Sequence, residues 1–560
     1  MRAKKEKRKG PNMFKKIIVV AMFLFAVATV INIAPNYIRN EITDKVNLII
    51  NNSNVTKSLK FDVFIDEQDT VYLSTKDVAN FFDENIFYDN VYDMLITTSD
   101  TKIATLELNK NEMEVNGAKQ TIYAPAIEKE DQFYLPFSEM ASVYNVEVNY
   151  IKDTNIVTID SLDREQKKGN SPKDLNVKYL PTTLSKTVDK LEKGNSVIVI
   201  SEDEDGWVKV RTQNGKIGYV KEIANIYNVR ENMQTEKQIE GNISLVWDYF
   251  SEYASAPNRT GTTLKGVNVV SPSFAVLDTD DAGELFVNIG EEGKEYIEWA
   301  HSKGYKVWPF ISNNGEKSLT SEILNDYKLR QKLINNIVNL AIGNNFDGIN
   351  IDFEYMNMSD KDVFSRFIIE LAPRLREYGM VLSVDVTAPD GGENWSLCYD
   401  RNEIGKAADY VIFMAYDQYG NSSEEAGTTA GADWVEVNIK KFIGKQEEVP
   451  AEKLILGMPF YTRLWYETNG DVDSDVIIMD RIESTIPTSA NRVWNDDVKQ
   501  YYVEYEQNGK TYKMWIEDEK SISAKCDLVN KYKLAGAAYW EKGQEKEEVW
   551  DVISEKLNIK

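Results

Sequence analysis

Cysteine and histidine are almost missing from this 560-residue chain: Cys398 and Cys526 are its only thiols and His301 its only imidazole. Two cysteines are too few for a disulfide framework or a cysteine zinc site, and their spacing does not say whether they pair. A single histidine excludes any multi-histidine metal centre and leaves one candidate base for Ser-His-Asp or Cys-His catalysis. In EYIEWAHSKGYKVW it reads as a partly exposed residue at a helix end. The sequence shows neither a metal site nor a nucleotide-binding glycine loop, and no cofactor is expected. Carboxylates and tyrosines remain as catalysts. Positive charge is also short: 65 Lys and Arg stand against 90 Asp and Glu, a net charge of −25 that repels nucleic-acid phosphates. What the chain has in quantity is apolar surface, 42% hydrophobic and 11% aromatic, enough for packed cores. The length exceeds one ordinary core, so several domains are expected.

The acidity has an exception at the N-terminus. Arg2, Lys4, Lys5, Lys7, Arg8, Lys9, Lys15 and Lys16 precede an apolar run, Ile17 to Ala34, broken only by Thr29 and Asn32. About 18 apolar residues approach the length that crosses a hydrocarbon core, and the basic flank stays cytoplasmic. The expectation is a basic tail over 1–16, a transmembrane signal-anchor over 17–38, and a chain tethered to the cell membrane with its later domains extracellular. A cleavable signal peptide, secreting the protein to the cell wall, is the alternative, because Ala26-Val27-Ala28 offers small residues to a signal peptidase. Continuation of the run to Ala34 favours the anchor.

Residues 46–161 contain an internal repeat at a shift of 62 positions. VYLSTKDVANFFDENIFYDNVYDMLIT (Val71–Thr97) lies over FYLPFSEMASVYNVEVNYIKDTNIVTI (Phe133–Ile159), with Tyr72 on Tyr134 and Leu73 on Leu135. Each copy reads as a strand, a short amphipathic helix and a strand pair, an α+β repeat domain. It resembles the copper amine oxidase N-terminal-like stalk of exported bacterial proteins; the name implies no copper, and this stretch has no histidine to bind it. A spacer or docking role follows. The polar segment 163–173, DREQKKGNSPK, has linker composition. Residues 175–226 then alternate in short strands with Gly194, Gly206-Trp207, Asn214-Gly215 and Gly218-Tyr219 at the turns. This small all-β pattern resembles a bacterial SH3-like barrel, in which Trp207 and Tyr219 either bind cell wall or form the core.

From about 240 to 560 apolar strands alternate with helical segments. Strands are expected near Ile243–Trp247, Gly266–Ala275, Lys306–Ile311, Phe346–Glu354, Val381–Thr387, Tyr410–Tyr416, Leu454–Tyr461 and Leu534–Trp540. Eight parallel strands with intervening helices make an α/β fold, a (β/α)8 TIM-type barrel, whose functional groups sit at the C-terminal strand ends. A segment at about 466–532, with a hairpin at Asn508-Gly509, is an insertion that walls the cleft. The fourth strand, FDGINIDFEYM, puts Asn350, Asp352 and Glu354 on one face and Ile349, Ile351 and Phe353 on the other. Two buried carboxyls on one face cannot both ionise cheaply, and the one that keeps its proton is a general acid. Asp347 is out of phase with them and reads as a cap or turn residue, Met414 as packing.

FDGINIDFE resembles the Asp-x-x-Asp-x-Asp-x-Glu signature of glycoside hydrolase family 18, and FMAYDQ (Phe413–Gln418) its Met-x-Tyr-Asp motif. GMPFYTRLW (Gly457–Trp465) and GAAYWEK (Gly536–Lys542) resemble its seventh and eighth strands. The resemblance implies a glycosidase in which Glu354 protonates the glycosidic oxygen and Asp352 orients the substrate's own 2-acetamido group for attack on the anomeric carbon. Tyr416 would hydrogen-bond that acetamido group, Asp417 would bind sugar hydroxyls, and Trp540 would be the apolar floor unless it merely fills the barrel. Tyr461, Arg463 and Asn350 would line the substrate-binding cleft. This substrate-assisted route needs no second protein carboxylate as nucleophile.

Two departures stand out. Asn350 replaces the deepest aspartate of the signature, and the third strand reads WPFISNN where chitinases commonly carry Ser-x-Gly-Gly. Both resemble the branch with spore-germination and cell-wall glucosaminidases. With export and an SH3-like module they favour peptidoglycan as the N-acetylglucosamine polymer cut. Chitin, N-glycan and a non-catalytic carbohydrate-binding role are the alternatives.

Overall fold

The computed structural model describes residues 45–202, 206–231, 239–389, 391–468 and 471–559. The expected anchor lies outside them; among the described residues no helix is long and apolar enough to cross a membrane. The chain forms two compact units, the first made largely by residues before 232 and the second largely by residues after 238.

In the first unit the leading strands of the two repeat copies pair antiparallel, with Leu73 opposite its own equivalent Leu135. The strand pairs Phe87–Asp89 with Met94–Thr98 and Val146–Ile151 with Ile156–Ser161 are present in both copies. The helix is present in one. Ser74 caps Thr75–Phe81 by accepting from the Asp77 N–H, whereas the matching position is Pro136, which has no capping oxygen, and residues 137–145 run as successive turns.

The polar segment expected as a linker is a strand, Gln166–Asn170, bonded on one side to Ser196–Glu202 and on the other to Ala224–Arg230 in the seven-stranded SH3-like sheet. Its hydrophilic composition hides the pairing, because only Gln166 and Gly169 are buried, and Gly169 lies where a Cβ would meet the Ile223 Cγ2 at 2.4 Å. Arg211 of this sheet donates to Asp160 of the repeat, Nη1–Oδ1 2.9 Å, with both side chains buried. Trp207 is buried too, which makes it a core residue.

The second unit is the barrel. Its strands are β1 (Ile243–Asp248), β2 (Val269–Pro272, continued by Ala275–Leu277), β3 (Lys306–Val307, continued by Phe310–Ser312) and β4 (Gly348–Asp352). They continue as β5 (Val381–Val386), β6 (Tyr410–Met414), β7 (Leu454–Pro459) and β8 (Gly536–Trp540). Neighbours pair in parallel all round, and β8 closes on β1. At that seam Gly536 comes so close that a Cβ would lie 1.9 Å from the Ile243 carbonyl oxygen. Trp247, Trp308, Phe310, Ile412 and Ile455 fill the interior, and a second apolar layer joins strands to helices. In that layer Lys361–Arg376 buries Phe364, Phe367, Ile368, Leu371 and Leu375, the stripe of a helix packed on a sheet.

Strand ends differ from the sequence expectation. β4 stops at Asp352, where its pairing with Ser312 ends, so Glu354 lies beyond the strand and does not close it. β6 stops before Tyr416, and Tyr461 opens a new strand instead of ending β7. The insertion is correspondingly Tyr461–Ile516, a five-stranded antiparallel sheet, and not 466–532. The helix Glu519–Tyr532, with an Asp518–Ser521 capping box, resumes the barrel alternation before β8. Asn508 and Gly509 both have positive φ, as the tight hairpin between Gln500–Gln507 and Lys510–Ile516 requires.

Candidate active site

Ile349, Ile351 and Phe353 belong to the layer between strands and helices, so Asn350 and Asp352 face the barrel axis. Asn350, expected among the substrate-binding residues, is instead fully buried with its amide bonded within the protein. Its Oδ1 accepts from the Trp247 indole N–H at 2.9 Å, and its Nδ2 donates to Asp385 Oδ1 at 2.8 Å. Asp352 is buried with an Oδ1 that has no hydrogen-bond partner, and burial pushes its carboxyl up to about 7. Asp385 is raised well above the usual carboxylate range by burial and by the Asp352 charge, which the bond from Asn350 only partly opposes. Glu354 is raised likewise by burial, then by the charges of Asp352 and Asp417. Three carboxyls thus crowd one low-dielectric point, and their ionisation is shared.

Because Glu354 lies past the ladder, side chains hold its backbone. Its N–H donates to Asn313 Oδ1 and its carbonyl accepts from Asn313 Nδ2, both at 2.9 Å. The Tyr399 hydroxyl donates to the preceding carbonyl, Phe353 O, at 2.7 Å. Asn313 is fully buried and its Nδ2 also donates to Thr320 Oγ1 at 3.0 Å. Replacing Asn313 by Ala is expected to lower kcat by about 10- to 100-fold with little change in KM, since small displacements of a reacting group are costly. Steady-state kinetics beside a thermal melt tests this; an unchanged kcat in a folded variant refutes it.

Tyr416 and Asp417 follow β6. Burial above all keeps the Tyr416 hydroxyl protonated, with Tyr461, Asp385, Glu354 and Asp352 acting in the same sense, so it is a donor. Tyr461 packs edge-on against the Tyr416 ring, centroids 6.3 Å apart, and donates to Asp417 Oδ1 at 2.8 Å. Arg463 Nη2 lies 3.6 Å from the same oxygen, and its Nη1 donates to Ser474 Oγ at 3.3 Å. Arg463 therefore reaches the group through Asp417. Trp540, at the end of β8, is partly exposed, with its ring 5.8 Å from Trp247 and 6.2 Å from Tyr249 and Phe310.

His301 and Asp347 lie at the other end of β4: Asp347 accepts from the Val307 N–H and Lys306 and faces His301 Nε2 at 2.9 Å, a structural corner. Met414 is buried packing, and the two cysteines are buried and unpaired. Sequence reading missed Asp385, Asn313, Tyr399 and Trp247. Asp385 did leave a trace, an acid inside the apolar run VLSVDV on the face shared with Ser383. Asn313 was visible only as part of the WPFISNN departure.

The model of the glycosyl hydrolases family 18 matches residues 246–545, more than half of the chain. The copper amine oxidase N-terminal domain matches 49–159 and the bacterial SH3 domain 173–222. The uncharacterized glycosylase YvbX of Bacillus subtilis is 29% identical over 276 residues, 47% of this chain and 79% of that one. The cortical fragment-lytic enzyme of Bacillus subtilis is 25% identical over 272 residues, 46% of this chain and 62% of that one, so less than two thirds of that relative is spanned. A chitinase from Chromobacterium violaceum superposes with a TM-score of 0.50 at 24% identity, over 57% of this chain and 100% of that one, which shows the shared fold. The chain belongs to the glycosyl hydrolases of family 18 and is a glycosidase.

Proposed function

We propose that the protein cleaves β-1,4 bonds at N-acetylglucosamine in peptidoglycan, outside the cell and tethered by its N-terminal segment, by substrate-assisted retaining catalysis. The observation that carries the chemistry is the buried Asp352 with the half-buried Glu354, both carboxyls raised, beside the neutral donor Tyr416. Glu354 gives its proton to the glycosidic oxygen as the bond to the anomeric carbon breaks. The substrate's acetamido oxygen forms the new bond to that carbon, and ionised Asp352 stabilises the positive charge on the oxazolinium ring. Tyr416 donates to the acetamido oxygen. Glu354, now a carboxylate, takes a proton from water as that water opens the ring with net retention. Trp540 supplies an apolar floor for the pyranose, and Asp417, held by Tyr461 and Arg463, accepts from sugar hydroxyls.

The wall substrate is supported by likeness to a cortical fragment-lytic enzyme and by the bacterial SH3 domain on the same chain. Chitin, or an N-glycan, is the second reading, favoured by the fold shared with a chitinase. Digestion of purified wall, soluble chitooligosaccharide and a glycoprotein in parallel decides between them. New reducing-end N-acetylglucosamine in the muropeptides is expected. Turnover of chitooligosaccharide alone sinks the wall assignment, and binding without turnover of any of the three leaves a carbohydrate-binding protein.

A further inference from the structure

Asp385 is a fully buried carboxyl beside the candidate site to which this mechanism gives no task. The β4–β5 ladder pairs Asn350 with Ser383 and Ile351 with Val384. The next residues on each strand are Asp352 and Asp385, and strand alternation turns both toward the barrel axis. Asn350 fixes the local polarity. An indole N–H only donates, so the Asn350 carbonyl faces Trp247 and its amide is left to donate to Asp385. The groups facing Asp385 are Asn350, Asp352 and Glu354 from β4 and the turn after it, Trp247 from β1 and Tyr416 from beyond β6. None of them is a cation. Two buried neighbouring carboxyls in such surroundings carry one charge between them, because a second ionisation meets both desolvation and repulsion.

We propose that Asp385 is a positioning residue for Asp352: it supplies from β5 the carboxyl that Asn350 removes from β4, and it holds one proton jointly with Asp352. The reading of Asp352 as the group facing the acetamido nitrogen is presupposed. As the oxazolinium forms, the single negative charge of the pair rests on Asp352 and the proton on Asp385. When the ring opens the proton is shared again. Nothing enters or leaves the pair, and its net charge is constant. Asn350 and Asp385 are then one exchange of an acid and an amide between adjacent strands, and a third acid at 350 would add a repulsion that nothing there offsets.

Asp385→Asn is nearly isosteric, and the new amide oxygen still accepts from Asn350. It is expected to lower kcat by about 10- to 100-fold, the equivalent of one to two units in the ease of ionising Asp352, with KM changed by less than about threefold. The swap Asn350→Asp with Asp385→Asn returns a carboxyl to the same space from the other strand and is expected to restore kcat to within about threefold of the starting protein. A side chain needed only for packing does not show that rescue. Kinetics are measured on the full chain, with the wall or oligosaccharide it turns over and a thermal melt of each variant. Wild-type kcat in D385N overturns the proposal, as does a folded swap no faster than D385N. Full activity in Glu354→Gln removes the mechanism underneath, whereas an inactive Glu354→Gln with a fully active D385N removes only the role of Asp385.

Discussion

Glu354→Gln is expected to abolish hydrolysis, with kcat falling by about 10²- to 10⁴-fold, the contribution of a general acid, and KM little changed. The carboxyl owes its proton near neutral pH to burial first and then to the charges of Asp352 and Asp417, and an amide of the same shape has no acidic proton to give. The loss is expected to shrink on an aryl glycoside whose leaving group departs without protonation, which separates a missing acid from a distorted cleft. The pH profile carries the same signature. Activity falls on the acid side as Asp352, pushed up to about 7, gains a proton, and on the alkaline side as Glu354 loses its own above the ordinary carboxylate range. Both limbs belong to the coupled carboxyls as a group. Equal losses on alkyl and aryl glycosides, or persistent wall digestion by Glu354→Gln, would falsify this assignment.

The largest expected effect on stability is at Glu370, far from the candidate chemistry. This fully buried carboxylate accepts from Arg330 Nε at 2.8 Å and Nη2 at 3.1 Å, from Arg366 Nε at 2.6 Å and from Gln331 at 2.7 Å. Burial by itself raises the carboxyl, but the charges of Arg366 and Arg330 and their hydrogen bonds outweigh it and hold it below the usual range. Glu370→Ala leaves the buried Arg330 guanidinium without its counter-charge, a change that costs about 3–5 kcal/mol. The barrel's calorimetric transition should move to markedly lower temperature, and an unmoved transition would mean that solvent or rearrangement compensates the arginine. The sign of the pH dependence follows from the depressed value. The stability from Glu370 is fully present above its unfolded value of about 4.3 and is lost as pH falls through the lower folded value.

Much of the barrel is written locally. Alternation in FDGINIDFE turns Asn350 and Asp352 to one face whatever surrounds the strand, because successive Cβ atoms point to opposite sides. Asn508-Gly509 specifies a tight hairpin through positive φ at both positions. The eight β/α alternations leave few topologies to consider. Wherever a position depended on a partner distant in the chain, local pattern was insufficient. The segment at 166–170 reads as linker because its composition is polar, yet two neighbouring strands supply its hydrogen bonds. The second repeat copy reads as helical by alignment with the first, yet Pro136 removes the cap.

The sequence alone determined which residue types stand at the C-terminal end of β4 and just past it, an amide and then two acids at two-residue spacing, since spacing and residue type are local properties. The tertiary structure alone decided how those groups are held and what they share. Glu354 lies beyond the last ladder pair, so its place depends on Asn313 from just after β3 and Tyr399 from after β5. Asp385, 35 residues later in the chain and one strand away in the barrel, accepts from the Asn350 amide. Burial, and with it the raised carboxyls, comes from closing eight strands around them, which no window of sequence contains.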